Sequence, residues 1–319
     1  MRAFTCGNCG RLAPFESNRC LHCGAEHGFD WDDRELVAFW PSERIRCANQ
    51  ATAACNAVVG SDGEACLACA LTRTRPSDAD AAGMARFAEA EAAKRRLVFE
   101  LAELGLPLDG GLTFDMLSST DAPVTTGHAD GVVTIDLAEA DDSHREAVRA
   151  KMSEPYRTVL GHLRHEVGHH YQPIVVADWD ACRALFGDER EDYQQALDRH
   201  YEHGAPDDWP TSFVSAYATM HPWEDWAETF AHYLHIADTL QTALAYGVRV
   251  EGPPGMLAKA APADGAFASL MAGWLPLTYA LNALNRSMGA EDLYPFVLTP
   301  AVIEKLEFVH QSVVGYSKQ

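Results

Sequence analysis

Eight of the nine cysteines fall before residue 70, and no other feature limits the fold as strongly. Cys6-x-x-Cys9 and Cys20-x-x-Cys23 are paired knuckles, each with glycine inside or just beyond it (Gly7, Gly10, Gly24). Such a tight turn aims both thiolates at one ion, and four thiolates close a tetrahedral zinc. Cys47, Cys55, Cys66 and Cys69 form a second possible set with a single CxxC pair; its alternative is a pair of buried reduced cysteines beside a small knuckle. The chain opens without a basic stretch followed by an apolar run, so no signal peptide is expected and disulfides would be out of place. Both sets are closed, with no position left for a substrate. One or two structural zincs are therefore expected, stapling segments too short for an apolar core of their own. Cys182 stands alone and reads as a small core residue.

A zinc-ribbon region over 1–75 and a second domain over 76–319 follow from the change in composition at Arg73-Thr74-Arg75-Pro76-Ser77, which reads as a linker. Between the cysteine sets, the aromatic, acidic stretch Phe29 to Trp40 is expected to pack the ribbon. Ala79 to about Leu104 has helical spacing and stops at Gly105. Thr113–Met116 and Gly131–Leu137 read as strands, the second entered through the turn Ala129-Asp130-Gly131. Beyond Asp141 the pattern is mainly helical, with breaks expected at Pro173, Pro206, Pro210, Pro222 and Pro253-Pro254. The fold class expected is α+β: a cysteine-rich ribbon, then a mainly helical domain with a small antiparallel sheet.

Gly265 to Asn285 carries no charge, but its polar residues, Pro276 and lack of basic flanks favour a core helix, kinked or interrupted near Pro276. With 46 acidic against 25 basic residues the net charge is −21, which disfavours broad nucleic-acid binding and anionic membrane surfaces. A soluble, cytoplasmic protein is expected; nothing in the sequence sets its oligomeric state.

About Pro155 to Tyr171 reads as a helix on which His165 and His169 lie four apart, one turn above the other on one face. Two imidazole nitrogens at that separation can share one zinc, and Glu166 beside the first can hold a water on that ion and take its proton. The positions that would carry the glycine and third histidine of a metzincin hold Gln172 and Val175. A third ligand must therefore come from elsewhere, and a helix opening at Pro222 offers Glu224 and Glu228 on one face. Glu224 is read as the ligand and Glu228 as the carboxylate fixing the tautomer of His165 or His169, with the exchanged order as the alternative. His162, three before His165, projects from nearly the same face as a neighbouring contact, or as a buried, hydrogen-bonded histidine. His128, His170, His221, His232 and His235 are expected to be structural or exposed.

The stretches HEVGHHY and SAYATMHPWEDWAETFAHYLH resemble a family of bacterial zinc-binding metallopeptidases that carry ribbon cysteines before the peptidase domain. The resemblance extends over nearly the whole chain and implies a zincin-like domain of the glutamate-zincin type. It implies His165, His169 and Glu224 as zinc ligands, Glu166 as general base and a peptide or protein as substrate. Similarity to lethal-factor-type proteases implies that Tyr217, seven residues before Glu224, faces the developing oxyanion. In zincin-type folds an edge strand borders the cleft, and Gly131–Leu137 is the candidate for that strand. Two rival readings are a protein-interaction module using the ribbon and a zinc-binding pseudoenzyme.

Overall fold

The computed structural model describes residues 1–40, 43–119, 123–140, 158–251 and 266–318. These divide into two compact units, one built from Met1–Ala102 and the strands after Pro107, the other from Arg164 onward.

In the first unit the cysteine knuckles organise the chain. Strands β1 (Phe4–Thr5) and β2 (Leu12–Ala13) pair antiparallel around Cys6 and Cys9. Each knuckle closes with a glycine N–H donating to the carbonyl of the first cysteine, Gly10 to Cys6 and Gly24 to Cys20, both at 2.9 Å. Both glycines have positive φ, which a side chain would oppose. The strands β3 (His27–Asp30) and β4 (Glu35–Ala38) form a second hairpin, and β5 (Ile45–Arg46) pairs with β6 (Val58–Val59). One-turn helices α1 (Gln50–Ala53) and α2 (Leu67–Ala70) flank the later cysteines.

Helix α3 (Ala81–Glu103) supplies the core that the ribbon lacks. Its Phe99 ring lies 5.5 to 5.9 Å from Phe4, Phe15 and Phe29, and its Val98 packs into the cluster containing Cys47, Cys55, Cys66 and Cys69. The Arg95 guanidinium donates to the Ala53 carbonyl at 3.0 Å. Phe29 and Trp31 pack as the sequence suggested, whereas Trp40 is 80% exposed.

The expected linker begins as a strand. Residues Thr72–Thr74 form β7, paired parallel with β8 (Thr113–Leu117), and Arg73 grips the Asp115 carboxylate with two nitrogens. The segment from β7 through α3 to β8 is a βαβ crossover, which is how two parallel neighbours are joined. The packing therefore groups α3 and its sheet with the cysteines, and the composition change at 75/76 is not a gap in it. A two-residue turn at Asp130-Gly131, both at positive φ, joins β9 (Gly127–Ala129) to β10 (Val132–Asp136). The sheet order is β7-β8-β10-β9, with one antiparallel pair and two parallel ones. This corrects one expectation: β10 lies inside the sheet, paired with β8 along its length and with β9 over Val132–Thr134. Among the described residues the edge strands are β7 and β9.

Helix α4 (Val159–Val175) carries the HEVGH segment; its expected start near Pro155 lies outside the described residues. It does not break at Pro173 but runs two residues past it. So near the C-terminus the missing proline N–H costs one terminal hydrogen bond rather than an interior one. Helices α5 (Trp179–Phe186) and α6 (Tyr193–His203) follow, both capped at the N-terminus by aspartate side chains, Asp178 and Asp192. Helix α7 (Pro222–Ala245) begins with Pro222 in its first turn and His221 as cap. The His221 Nδ1 accepts from the Trp223 N–H at 3.0 Å, and its Nε2 donates to the Glu191 carbonyl at 3.1 Å.

Helix α8 (Ala266–Ser287) passes through Pro276 without interruption. Only one stripe of it is buried (Phe267, Met271, Trp274, Thr278), so it is a half-covered helix and not a fully buried one. Among the described residues it alone is long and apolar enough to cross a membrane by length and composition. Helix α9 (Pro300–Tyr316) closes the unit through a buried ion pair, Lys305 Nζ to Asp225 Oδ2 at 2.6 Å. Burial of the Asp225 carboxyl, only partly offset by Lys305, raises its pKa to about 7. Cys182 is buried and its thiol pushed up to about 12 by burial, as a core residue should be.

Candidate metal centres

Three groups of metal-ligating side chains converge among the described residues, and they are the three read from the sequence. In the first, Cys6 and Cys23 Sγ lie 3.8 Å apart and Cys9 and Cys20 Sγ 3.7 Å apart; in the second, Cys55 and Cys66 are separated by 3.7 Å. A tetrahedron with metal–sulfur bonds of about 2.3 Å has edges of roughly 3.8 Å, so the donor sets fit a four-coordinate ion. Neither set contains a disulfide. The first set reaches the surface at Cys23, whose thiol is held down to about 6 by the Asn8 side-chain amide and the Ala25 N–H. The second is buried at all four cysteines. There, hydrogen bonds among the sulfurs push Cys47 and Cys66 down and Cys55 and Cys69 up. A divalent ion would replace those protons.

The third group lies on α4 and α7. One helical turn brings His165 and His169 Nε2 to 3.2 Å, and Glu224 Oε2 is 2.9 Å from the first and 3.3 Å from the second. Bonds of about 2.05 Å to a tetrahedral ion would separate such donors by roughly 3.3 Å, so this set also fits. Glu228 takes the other side of His165: its Oε1 is 2.7 Å from Nδ1, while its Oε2 accepts from Ser215 Oγ at 2.6 Å. The geometry thus gives the two glutamates different tasks, Glu224 facing both Nε2 atoms and Glu228 orienting one ring. Burial opposes a charge on His165, but the two carboxylates outweigh it and hold its pKa well above the usual value. Glu224 and Glu228 are correspondingly lowered by the histidines despite burial. Where a proton now balances these carboxylates, a cation competes for the same nitrogens.

Close packing of the two helices makes this convergence possible. A Cβ on Gly168 would lie 3.0 Å from Ala227 Cα and 3.2 Å from its carbonyl oxygen. The Trp226 indole N–H donates to the Gly168 carbonyl at 2.9 Å, locking the contact. Arg164, on α4, reaches Asp238 at 3.0 Å and ties the helices again one face away. Glu224 therefore sits opposite the histidines because Gly168 has no side chain.

Several contributors carry no signal in the sequence. Tyr193, on α6, donates its hydroxyl to Glu224 Oε1 at 2.9 Å, leaving Oε2 for the histidine side. Trp223 covers His169, ring centroids 3.9 Å apart. Ser215 and Gly168 are equally silent there. Tyr217 lies in a short 3-10 turn, its ring 6.1 Å from that of His165; burial and the Glu224 charge hold its phenol protonated. Its hydroxyl and that of Tyr193 are near enough to influence each other. Glu166 is buried at 8% exposure. His162 is half-buried one turn earlier on α4 and is not part of the converging group. His232 bonds Tyr294 Oη at 2.7 Å and His235 packs on Trp274, both structural.

A helical domain with an HExxH segment facing a glutamate helix, preceded by two four-cysteine sets, defines a zinc-ribbon protein joined to a metallopeptidase-like domain. Residues 83–312 match the family described as "Putative zinc-binding metallo-peptidase", and residues 3–80 match a zinc-ribbon domain. The chain belongs to that zinc-binding metallo-peptidase family. It is 51% identical to an uncharacterized protein of Mycobacterium bovis, over 98% of this chain and 95% of the relative. The same identity and coverage hold for uncharacterized proteins of two Mycobacterium tuberculosis strains. No solved structure matches the chain.

Proposed function

We propose that this protein is a zinc-dependent peptidase of the glutamate-zincin type, with His165, His169 and Glu224 holding the catalytic zinc. The observation that carries the reading is the meeting of two imidazole nitrogens and one carboxylate oxygen at 2.9 to 3.3 Å, next in sequence to the buried Glu166. Zinc bound there supplies a Lewis acid that polarises a scissile carbonyl and lowers the pKa of a water. Glu166 takes the proton of the attacking water and passes it to the leaving nitrogen. Glu228, steadied by Ser215, holds His165 in the tautomer whose Nε2 lone pair points inward. Tyr193 holds Glu224 in the same way from its far oxygen. The Tyr217 hydroxyl, kept protonated, donates to the oxyanion as its charge develops.

The two cysteine sets are structural in this reading, closed to substrate by their four thiolates. The substrate is a peptide or protein, and the net charge of −21 argues against nucleic acid or an anionic membrane as partner. A cytoplasmic location belongs to the same proposal.

Metal analysis and peptide-library cleavage of wild type and Glu166→Gln test it together. One zinc per cluster is expected in both, three in all. Cleavage should fall by about 100-fold or more in the variant. Cleavage that survives Glu166→Gln sinks the mechanism, and so does a fully loaded cysteine region with no metal at His165 and His169.

A further inference from the structure

A cavity of about 370 Å³ opens beside the last turn of α6, lined by Arg199, His200 and His203 and, from the turn that leads into α7, by Thr219 and Met220. Its lining contains no acidic residue, although the chain has 46 acids against 25 basic groups. His203 is occupied by the helix end, its ring Nδ1 bonding the Arg199 carbonyl at 3.2 Å. The Arg199 guanidinium makes no hydrogen bond or ion pair among the described residues. Neither of the nearest acids in sequence pairs with it: Asp198 accepts from Gln194 at 2.8 Å, and Glu202 lies 4.0 Å from His203. The cavity therefore presents an unspent cation with ring N–H groups beside it, the donor set that recognises a carboxylate.

Its position relative to the metal centre is fixed by Tyr217. That ring lies 6.1 Å from His165 on one side and 6.1 Å from His200 on the other. The His165 and His200 rings are thus at most about 12 Å apart, a span of three to four extended residues. Thr219 and Met220 lead directly into the His221 cap and first turn that present Glu224, so one short segment borders both cavity and metal centre. Burial lowers the pKa of His200, which leaves Arg199 as the charge and His200 as a neutral donor near pH 7.

From this arrangement we propose that the Arg199–His200 cavity is the substrate subsite that takes a carboxylate of the peptide, within about four residues of the scissile bond. The proposal rests on the peptidase reading above. An acidic side chain and a free C-terminus share this chemistry, and the test separates them.

The test uses the full, zinc-loaded chain and internally quenched nonapeptides with a neutral Ala/Leu/Ser frame. A single Glu is walked through the frame, each peptide paired with its Gln counterpart, and every peptide is made with a free and with an amidated C-terminus. The kcat/KM ratio of Glu to Gln peptides should reach about tenfold at one position, the size of one hydrogen-bonded charge pair. It should fall to near one in Arg199→Gln and invert in Arg199→Glu. A preference that follows the free C-terminus instead of the Glu position, with the same response to the Arg199 variants, assigns the cavity to the terminal carboxylate. Equal cleavage of Glu and Gln peptides, free and amidated, overturns the subsite and leaves the peptidase reading standing. If wild type cleaves nothing, the peptidase reading fails, and fluorescence-anisotropy binding of the same labelled peptides decides the cavity. Carboxylate-selective binding lost in Arg199→Glu upholds it; binding blind to charge overturns it.

Discussion

Replacing Gly168 by alanine should weaken the metal centre without touching a metal ligand. The new Cβ would stand 3.0 Å from Ala227 Cα, 3.2 Å from the Ala227 oxygen and 3.3 Å from Phe230 Cβ. Ordinary carbon contacts are about 3.5 to 4.0 Å, so α4 and α7 must separate by roughly half an ångström at their crossing. Overpacking of this kind costs about 1–3 kcal/mol, and alanine returns at most about 1 kcal/mol of helix propensity. Stretching the buried Trp226–Gly168 hydrogen bond adds about 1 kcal/mol to the cost. A net loss of about 1–3 kcal/mol is expected in urea unfolding. The metal centre should suffer more. Glu224 sits one turn from Ala227 on the same helix, and metal–ligand distances tolerate only about 0.2 Å. Chelator competition should therefore release the third zinc from Gly168→Ala at about tenfold lower chelator, with the cysteine-bound zincs unaffected. A Cβ added at Gly315 in α9 would meet nothing within 4 Å, so Gly315→Ala serves as control and should be neutral or slightly stabilising. A Gly168→Ala protein as stable as wild type, with an unchanged chelator curve, would refute the claim that this glycine sets the Glu224 position.

Three further outcomes follow from the same contacts. Tyr193→Phe removes the donor on Glu224 Oε1 and should lower zinc affinity at the His165 centre by about tenfold with little change in unfolding; an unchanged affinity in a zinc competition titration would rule out that role. Cys47→Ser breaks the fully buried cysteine set. It should lose one zinc and make the region around α3 sensitive to limited proteolysis, and full zinc retention with unchanged protease resistance would count against a metal there. His232 is held down to about 4 by burial, against a free value of 6.5, so the native state binds fewer protons than the unfolded one between those values. Stability should be full above pH 6.5 and decline as pH falls towards 4, by about 3 kcal/mol for this group; a His232→Gln variant whose unfolding free energy keeps the wild-type slope over that window would contradict the assignment.

What the sequence revealed of the site and what it hid differ for a physical reason. His165, Glu166 and His169 are legible because one helix fixes their relative positions: four residues is one turn, whatever surrounds it. The cysteine knuckles are legible likewise, because a CxxC turn carries its own geometry. Glu224 and Glu228 are half-legible. Their mutual spacing is helical, but that α7 lies against α4 depends on Gly168, which reads as an unremarkable glycine in a helix until Ala227 is seen 3.0 Å from its absent Cβ. Tyr193 is invisible because it is 31 residues from Glu224 on another helix, and no local period reports such a contact. The strand reading shows the same limit. Alternation locates β10 correctly, but pattern within a strand says nothing of its neighbours, and β8 and β9 flank it. The linker reading is incomplete for the complementary reason: Arg73 to Arg75 are exposed, as a connection would be, but Asp115, far along the chain, also makes Arg73 a partner of the sheet. Local periodicity thus supplies the ligands, and the crossing of α4 and α7 supplies their meeting. A substitution at Gly168 is therefore a sharper test of the centre than one at any ligand, since it asks whether the fold, and not only the donor set, makes the site.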